Sequence, residues 1–212
     1  MVEPPARTRR GERTRAALIA AARVVFEREG FLEARVCDIT AEAGVASGTF
    51  YTYFDDKAQI FAAIVEAVQE DMLHPPVRER VEGDDVAAMI AAANREYLRA
   101  YAENARLMAL FEQVAQIDPE FRELRRRRGQ AFAERNAKLI SRLQREGRAD
   151  PGVDPLIAAH ALSAMVGRTA YAIHVMQQEI DREALADTLT RLWVNALRLD
   201  SGSVNPAPAG PA

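Results

Sequence analysis

The decisive stretch is Val36-Cys37-Asp38-Ile39-Thr40-Ala41-Glu42-Ala43-Gly44-Val45-Ala46-Ser47-Gly48-Thr49-Phe50-Tyr51-Thr52-Tyr53-Phe54. Val36, Ile39 and Ala43 stand at i, i+3 and i+7, one apolar face of a short helix. Gly44 falls where a tight turn requires a positive φ, and Val45 is an apolar plug behind it. Ser47 is placed to cap a second helix by accepting a free N–H of its first turn. Phe50 and Phe54, four apart, bury that helix. Gly48, Thr49, Tyr51, Thr52 and Tyr53 remain on its outer faces. Two short helices about a glycine hinge have the grammar of a helix-turn-helix. A small residue near the start of the second helix lets it press close into a major groove. Thr and Tyr hydroxyls bond phosphates or base edges.

Working outward, helical periodicity is almost continuous and no strand alternation appears. From about Arg13 to Glu29, Leu18, Ala22, Val25 and Phe26 share a face, and Gly30 ends the helix as a C′ glycine does. Asp55-Asp56 opens a helix to about Met72, which His74-Pro75-Pro76 breaks. Asp84-Asp85 opens a long one to about Glu103. Asn104 interrupts it before the segment 105–116. Asp118-Pro119-Glu120 starts the next, with proline in the first turn and acids at the positive dipole end, and Gly147 stops it. After the Asp150-Pro151-Gly152 turn, Asp154-Pro155 starts a helix to about Gln178. Asp181 caps the last, where Leu185, Leu189, Leu192, Trp193, Ala196 and Leu199 form a stripe. The expected fold is all-α with about nine helices: an N-terminal three-helix head holding the helix-turn-helix, then a helical body. The expected divisions are a flexible basic arm at 1–10, the head at 11–55, the body at 56–199, and a disordered Pro/Gly/Ala/Ser-rich tail at 200–212.

Composition narrows the class. With 212 residues, 49% hydrophobic and 28% charged, the chain is long and apolar enough to fold without staples. The single cysteine, Cys37, excludes an intrachain disulfide and a cysteine-based zinc site, and it fits a reducing cytoplasm. The longest unbroken apolar run is 86–93, short of the roughly 20 residues of a membrane span, so no membrane partner is expected. Arg7, Arg9 and Arg10 before the apolar run 16–22 imitate an export signal. The run ends at Arg23, however, and its pattern continues with helical period to Phe26, which reads as a folded helix. The net charge of −3 gives no hint of nucleic acid, but six of the first 23 residues are arginine against two glutamates. A basic arm on an acidic body is either a solvated tail or a grip on phosphates.

Residues 13–65 resemble the DNA-binding domain of the TetR family of transcriptional regulators. The resemblance rests on Phe26…Gly30-Phe31, on Asp38-Ile39-Thr40…Ala43-Gly44-Val45, on Gly48-Thr49-Phe50-Tyr51-Thr52-Tyr53-Phe54, and on Lys57 opening the next helix. It implies that Ser47, Gly48, Thr49, Tyr51 and Thr52 face double-stranded operator DNA. Tyr53 touches a phosphate or packs at the rim, Lys57 reaches the backbone, and Thr40 either contacts a phosphate or only packs. The family often carries Ser then Lys or Arg where this chain has Ala46 and Ser47, which weakens the phosphate grip of the motif. Arg35 and the arginines Arg7, Arg9, Arg10 and Arg13 offset that loss, the latter along the backbone or in the minor groove. Cys37 reads as a small residue near the DNA face, with a redox switch as the alternative.

The body resembles the family in architecture, a ligand-binding and dimerisation unit. Ala159, Ser163, Gly167 and Ala170 form a small-residue face that admits another helix. With the last helix it is expected to build a four-helix bundle across a homodimer, the alternative being packing within the chain. A pocket for a small apolar effector is expected among Met72, Met89, Tyr97, Tyr101, Met108, Phe111, Phe132, Met165, Tyr171 and His174, each of which is otherwise ordinary core. The run 125–128 spans one helical turn, so its arginines cannot all line one site. A salt-bridged face is the first reading and a contact with an anionic ligand such as an acyl-CoA the second. His160 and His174 lie some 21 Å apart along a helix and cannot share a metal. No nucleophile elbow, Walker loop, dinucleotide fingerprint or HExxH motif is present, so no cofactor, metal or catalytic set is expected. The function read from the sequence is a cytoplasmic homodimeric regulator, a repressor released from a pseudo-palindromic operator by a small apolar ligand. The alternative is a helical ligand-binding or interaction module without a functional operator, and an enzyme comes third.

Overall fold

The computed structural model describes residues 9–73 and 85–199, and within them every regular element is a helix. In order these are α1 (Arg9–Glu29), α2 (Val36–Glu42), α3 (Ser47–Phe50), α4 (Lys57–Leu73), α5 (Val86–Glu103), α6 (Ala105–Ile117), α7 (Pro119–Arg145), α8 (Pro155–His174) and α9 (Arg182–Leu197). Arg7, the Asp84 start signal, the His74-Pro75-Pro76 break and the tail from 200 lie outside the described residues.

Aspartates start these helices as the sequence suggests. Asp56 accepts the Gln59 N–H at 2.8 Å, Asp85 the Ala88 N–H at 3.0 Å, and Asp118 the Glu120 N–H at 2.8 Å. Asp154 takes both the Leu156 and the Ile157 N–H at 2.9 Å, with Pro155 in the first turn. Each satisfies donors that a helix start leaves open. Three bounds differ from expectation. α8 ends at His174, four residues before Gln178, where the Val175 and Met176 N–H groups both turn back to Tyr171 O. α1 begins at Arg9, four residues early, because the Arg-rich first turn has high helix propensity and Glu12 faces the positive end of the dipole. α3 is only four residues long. Beyond Phe50 the chain continues in turns, held by Thr52 N–H on Thr49 O and Tyr53 N–H on Phe50 O.

The described residues form two compact units. The first takes those of Met1–Asp71 together with Asn104–Arg126, so α6 and the start of α7 belong with the helix-turn-helix. Its interior is aromatic. Phe61 of α4 lies 5.0 Å from both Phe26 and Phe31 and 5.4 Å from Phe121, and Phe111 of α6 lies 6.5 Å from Phe121. Leu18, Ala22, Val25 and Phe26 are fully buried, the stripe read from the sequence.

The second unit takes the described residues of Met72–Glu103 and Arg127–Ala212. In it α5 packs on α8 and α9. The small-residue face of α8 is partly taken up within the chain, the alternative reading for it, with Ser163 and Gly167 half-buried. Ala159 and Ala170 are fully buried, Ser163 accepts a hydrogen bond from Asn136 at 3.0 Å, and a Cβ on Gly167 would stand 3.3 Å from the Tyr97 hydroxyl. The α9 stripe divides: Leu185, Leu189 and Trp193 are buried, while Leu192 and Ala196 are exposed. The side of α8 left open carries Leu156, Ile157, His160, Ala161, Ala164 and Arg168. By length and composition α8 is apolar enough to cross a membrane, at a mean hydropathy of 1.3, although His160 and Arg168 interrupt its apolar residues.

Candidate nucleic-acid interface

The hinge between α2 and α3 is a Schellman turn. Gly44 sits at φ 66°, its N–H on Ala41 O at 3.1 Å, and Val45 N–H reaches Thr40 O at 3.0 Å. That positive φ is strained for a residue with a Cβ. Ile39, Phe50 and Phe54 are buried behind the hinge. Ala46, not Ser47, occupies the cap position of α3, with no side-chain bond, so Ser47 is the first helical residue and its side chain stays exposed. The sequence misplaced this cap by one residue, because the extended backbone that a cap needs falls at Ala46 (ψ 144°).

Ser47, Gly48, Tyr51 and Thr52 are all exposed, and Thr49 and Tyr53 are half-buried. Tyr51 is 62% exposed, its ring only edging Phe50 at 5.4 Å. Gly48 has no atom within 4 Å of where a Cβ would stand, and its φ is not left-handed. The fold therefore has no need of a glycine there, whereas a closely approaching surface would. This face can donate and accept hydrogen bonds and lacks formal charge.

The other predicted contacts are partly engaged elsewhere. Thr40 is 2% exposed and donates to Cys37 O at 3.1 Å. Its place in the core behind α2 removes it from any phosphate, so of its two readings packing holds. Lys57 turns inward: its ammonium donates to Leu32 O at 2.7 Å and Ala34 O at 3.0 Å and lies 5.2 Å from the Phe31 ring centroid. It thereby ties the α1–α2 connection to the start of α4. Arg35 is exposed but forked on Asp38, Nε to Oδ2 at 2.9 Å and Nη2 to Oδ1 at 3.3 Å. The Arg35 guanidinium holds the Asp38 carboxyl below its ordinary range, and Asp38 in turn raises Arg35. Sequence reasoning missed this restraint, although a carboxylate three residues after an arginine in a first helical turn is its signature. Arg9, Arg10 and Arg13 are exposed on α1, and Cys37 is exposed with its thiol 3.7 Å from Asp38.

The predicted effector residues fall in both units. Tyr97 lies 5.8 Å from Phe132 and 6.1 Å from Tyr101, and Tyr101 lies 6.2 Å from His174, so these four form one aromatic group. Met89, Met165 and Tyr171 are half-buried in the same unit, with Arg168 over the Tyr171 ring at 5.0 Å. Met108 and Phe111 are buried in the first unit, Phe111 against Phe121. In the arginine run, Arg125 pairs with Glu112 at 2.8 Å and Arg126 with Glu123 at 2.7 Å, the salt-bridged reading for those two. No group of three metal-ligating side chains occurs among the described residues.

A glycine-hinged helix pair that turns an uncharged, hydroxyl-rich, sterically open face outward defines a helix-turn-helix DNA-binding regulator. Comparison with known proteins agrees. Residues 18–64 match the model of bacterial regulatory proteins of the tetR family, and residues 90–198, over half of the chain, match that of the C-terminal domain of the transcriptional regulator EthR. The chain belongs to the TetR family and is a DNA-binding transcriptional regulator. It is 27% identical over 197 residues to the regulator EthR of Mycolicibacterium smegmatis, covering 88% of this chain and 87% of that protein. It is 23% identical over 164 residues to TtgR of Pseudomonas putida, covering 73% and 77%. Two solved structures share the fold. One is the fatty acid degradation regulator FadR of Bacillus halodurans (TM-score 0.73, 19% identity, 94% of this chain and 100% of that one). The other is SmeT, repressor of the multidrug efflux pump SmeDEF of Stenotrophomonas maltophilia (TM-score 0.71, 23% identity, 91% and 94%).

Proposed function

We propose that the protein is a cytoplasmic homodimeric repressor that two α3 helices seat on a pseudo-palindromic operator and that a small, mainly apolar effector releases. The observation that carries the reading is the open face of Ser47, Gly48, Tyr51 and Thr52, which has no packing task in the chain. Paired heads suit half-sites about 34 Å or a multiple of it apart. The surface for pairing is the open side of α8 with the neighbouring apolar residues of α9. A strongly apolar helix calls for cover on more than one side, yet only 28% of the most apolar stretch of α8 is buried within one chain, and Ile157 is 71% exposed. A second copy covers it.

The effector is read as contacting the aromatic group of Tyr97, Tyr101 and Phe132 with Met89, Met165 and Tyr171. Release requires only that the effector prefer a state whose heads no longer match the half-sites; a 100-fold preference is about 2.7 kcal/mol of coupling. Because α4, α6 and the start of α7 share a compact unit with α3, their displacement is a displacement of the head.

Genome-wide mapping of bound DNA, followed by a gel shift on the recovered sites, tests this. Discrete two-fold-symmetric sites that wild type binds and Tyr51→Ala does not are the expected outcome. Binding without any sequence preference would instead favour an interaction module that has no operator.

A further inference from the structure

Trp193, the chain's one tryptophan, is 6% exposed on α9, and its indole N–H has no hydrogen-bond partner. A buried donor left unpaired is costly and uncommon. One helical turn before it, Thr190 is fully engaged, accepting from the Asn94 amide at 3.1 Å and donating to Ala186 O at 2.7 Å. Asn94 lies on α5, the helix against which α9 packs. The α5–α9 seam thus holds a paired amide and hydroxyl in an apolar setting, and one turn further along α9 stands a buried donor with no partner. The seam is also neutral. Among the described residues the buried polar side chains of this unit are Asn94 and Thr190, and Arg95, beside Asn94, is turned out to the exposed Asp187 at 3.0 Å. An ionised group here would lose its water without gaining a counter-charge.

We infer that the Trp193 indole N–H is the polar anchor of the effector, which carries a neutral acceptor oxygen, such as a ketone, ester or amide carbonyl, on an apolar body. This rests on the effector-responsive reading above and adds the ligand's chemistry to it. The uncharged acceptor also separates it from an anionic ligand held by arginines.

A lone tryptophan gives a single indole cross-peak in a ¹⁵N–¹H spectrum of the full-length protein, so the site reports on itself. The probes are cyclohexanone, cyclohexane and cyclohexanecarboxylate, which share a ring and differ in the acceptor. Cyclohexanone is expected to move the indole proton downfield saturably, cyclohexane not to move it, and the carboxylate to bind about tenfold more weakly than the ketone. Trp193→Phe is expected to weaken cyclohexanone binding about fivefold, to the level of cyclohexane. The wild-type titration stands even if that variant folds poorly. No saturable shift with the ketone, an equal shift with cyclohexane, or an indole proton in rapid exchange with water overturns the proposal. A gel shift run alongside separates the two readings. Indole binding without loss of DNA leaves the anchor and removes the effector role; loss of DNA without an indole shift does the reverse.

Discussion

The Tyr97 hydroxyl lies 3.3 Å from the point at which Gly167 would carry a Cβ. That distance sets how much side chain the mid-helix position can take before Tyr97 of α5, inside the same chain, must give way. Gly167→Ala gains helix propensity of about 1 kcal/mol and loses a similar amount as Tyr97 shifts, so its melting temperature stays close to wild type. Gly167→Leu overfills the contact and costs about 1–3 kcal/mol in denaturant unfolding, with the dimer retained at high protein concentration. A Leu variant of unchanged stability that dissociates would return the small-residue face to a partner.

Ile157 makes the complementary case. It stands 71% exposed on α8, about 80° around the helix from Gly167, so a charge there stays in solvent within one chain. Ile157→Lys is expected to keep its helical circular dichroism, to sediment at the monomer mass, and to lose roughly 100-fold in operator affinity as two linked heads become one. A variant that remains dimeric would place the interface elsewhere.

The contrast between these two residues shows what the sequence makes legible. Helix starts and the glycine hinge are local, decided by a few adjacent residues, and Asp56, Asp118, Asp154 and Gly44 do as their types require. Facing is not local in α8, because apolar residues lie on more than one side of that helix and periodicity cannot select between two apolar faces. Small residues drew the dimer reading to Gly167, whereas the open face follows the spacing of Ile157, Ala161, Ala164 and Arg168. In the head, the resemblance carried the exposed set Ser47, Gly48, Tyr51 and Thr52, which one amphipathic turn supports. It left Thr40 open between phosphate and packing, which its burial on α2 decides, and it gave no sign that Arg35 is forked on Asp38 or that Lys57 folds back on the α1–α2 connection.

Gly48 separates folding from recognition. With open space around it and no left-handed φ, Gly48→Ala is expected to stabilise the head by up to about 1 kcal/mol. Operator affinity in a gel shift should nevertheless fall at least about tenfold, since a methyl group now stands between α3 and the groove floor. Stabilisation with full affinity would mean that this face does not approach DNA.

Asp38 restrains Arg35, the exposed arginine at the start of α2. Replacing it by Asn removes a negative charge near the phosphates and frees Arg35. Asp38→Asn is therefore expected to raise affinity for all DNA sequences about equally and to steepen the log–log salt dependence by about 0.9, one additional phosphate contact. The pH dependence has a definite sign. The Asp38 carboxyl is lowered by Arg35, so the pair is intact above the ordinary carboxylate range and is lost only as pH falls below it. Between pH 6 and 8 the ratio of variant to wild-type affinity should stay constant, as fluorescence anisotropy measures; a ratio that drifts across that window would assign the effect to another group.

Lys57 tests whether a cation at the start of α4 serves the duplex or the fold. Its ammonium satisfies the carbonyls of Leu32 and Ala34 and sits over Phe31. Lys57→Met keeps the length of the side chain and strands both acceptors, an expected loss of about 1–2 kcal/mol in denaturant unfolding. With the head refolded at low denaturant, the salt dependence of DNA binding should be unchanged, because no phosphate contact has gone. A residue reaching the backbone would behave the opposite way, with unfolding unaffected and the salt slope shallower by about 0.9. The internal bonds of Lys57, at 2.7 and 3.0 Å, favour the first outcome.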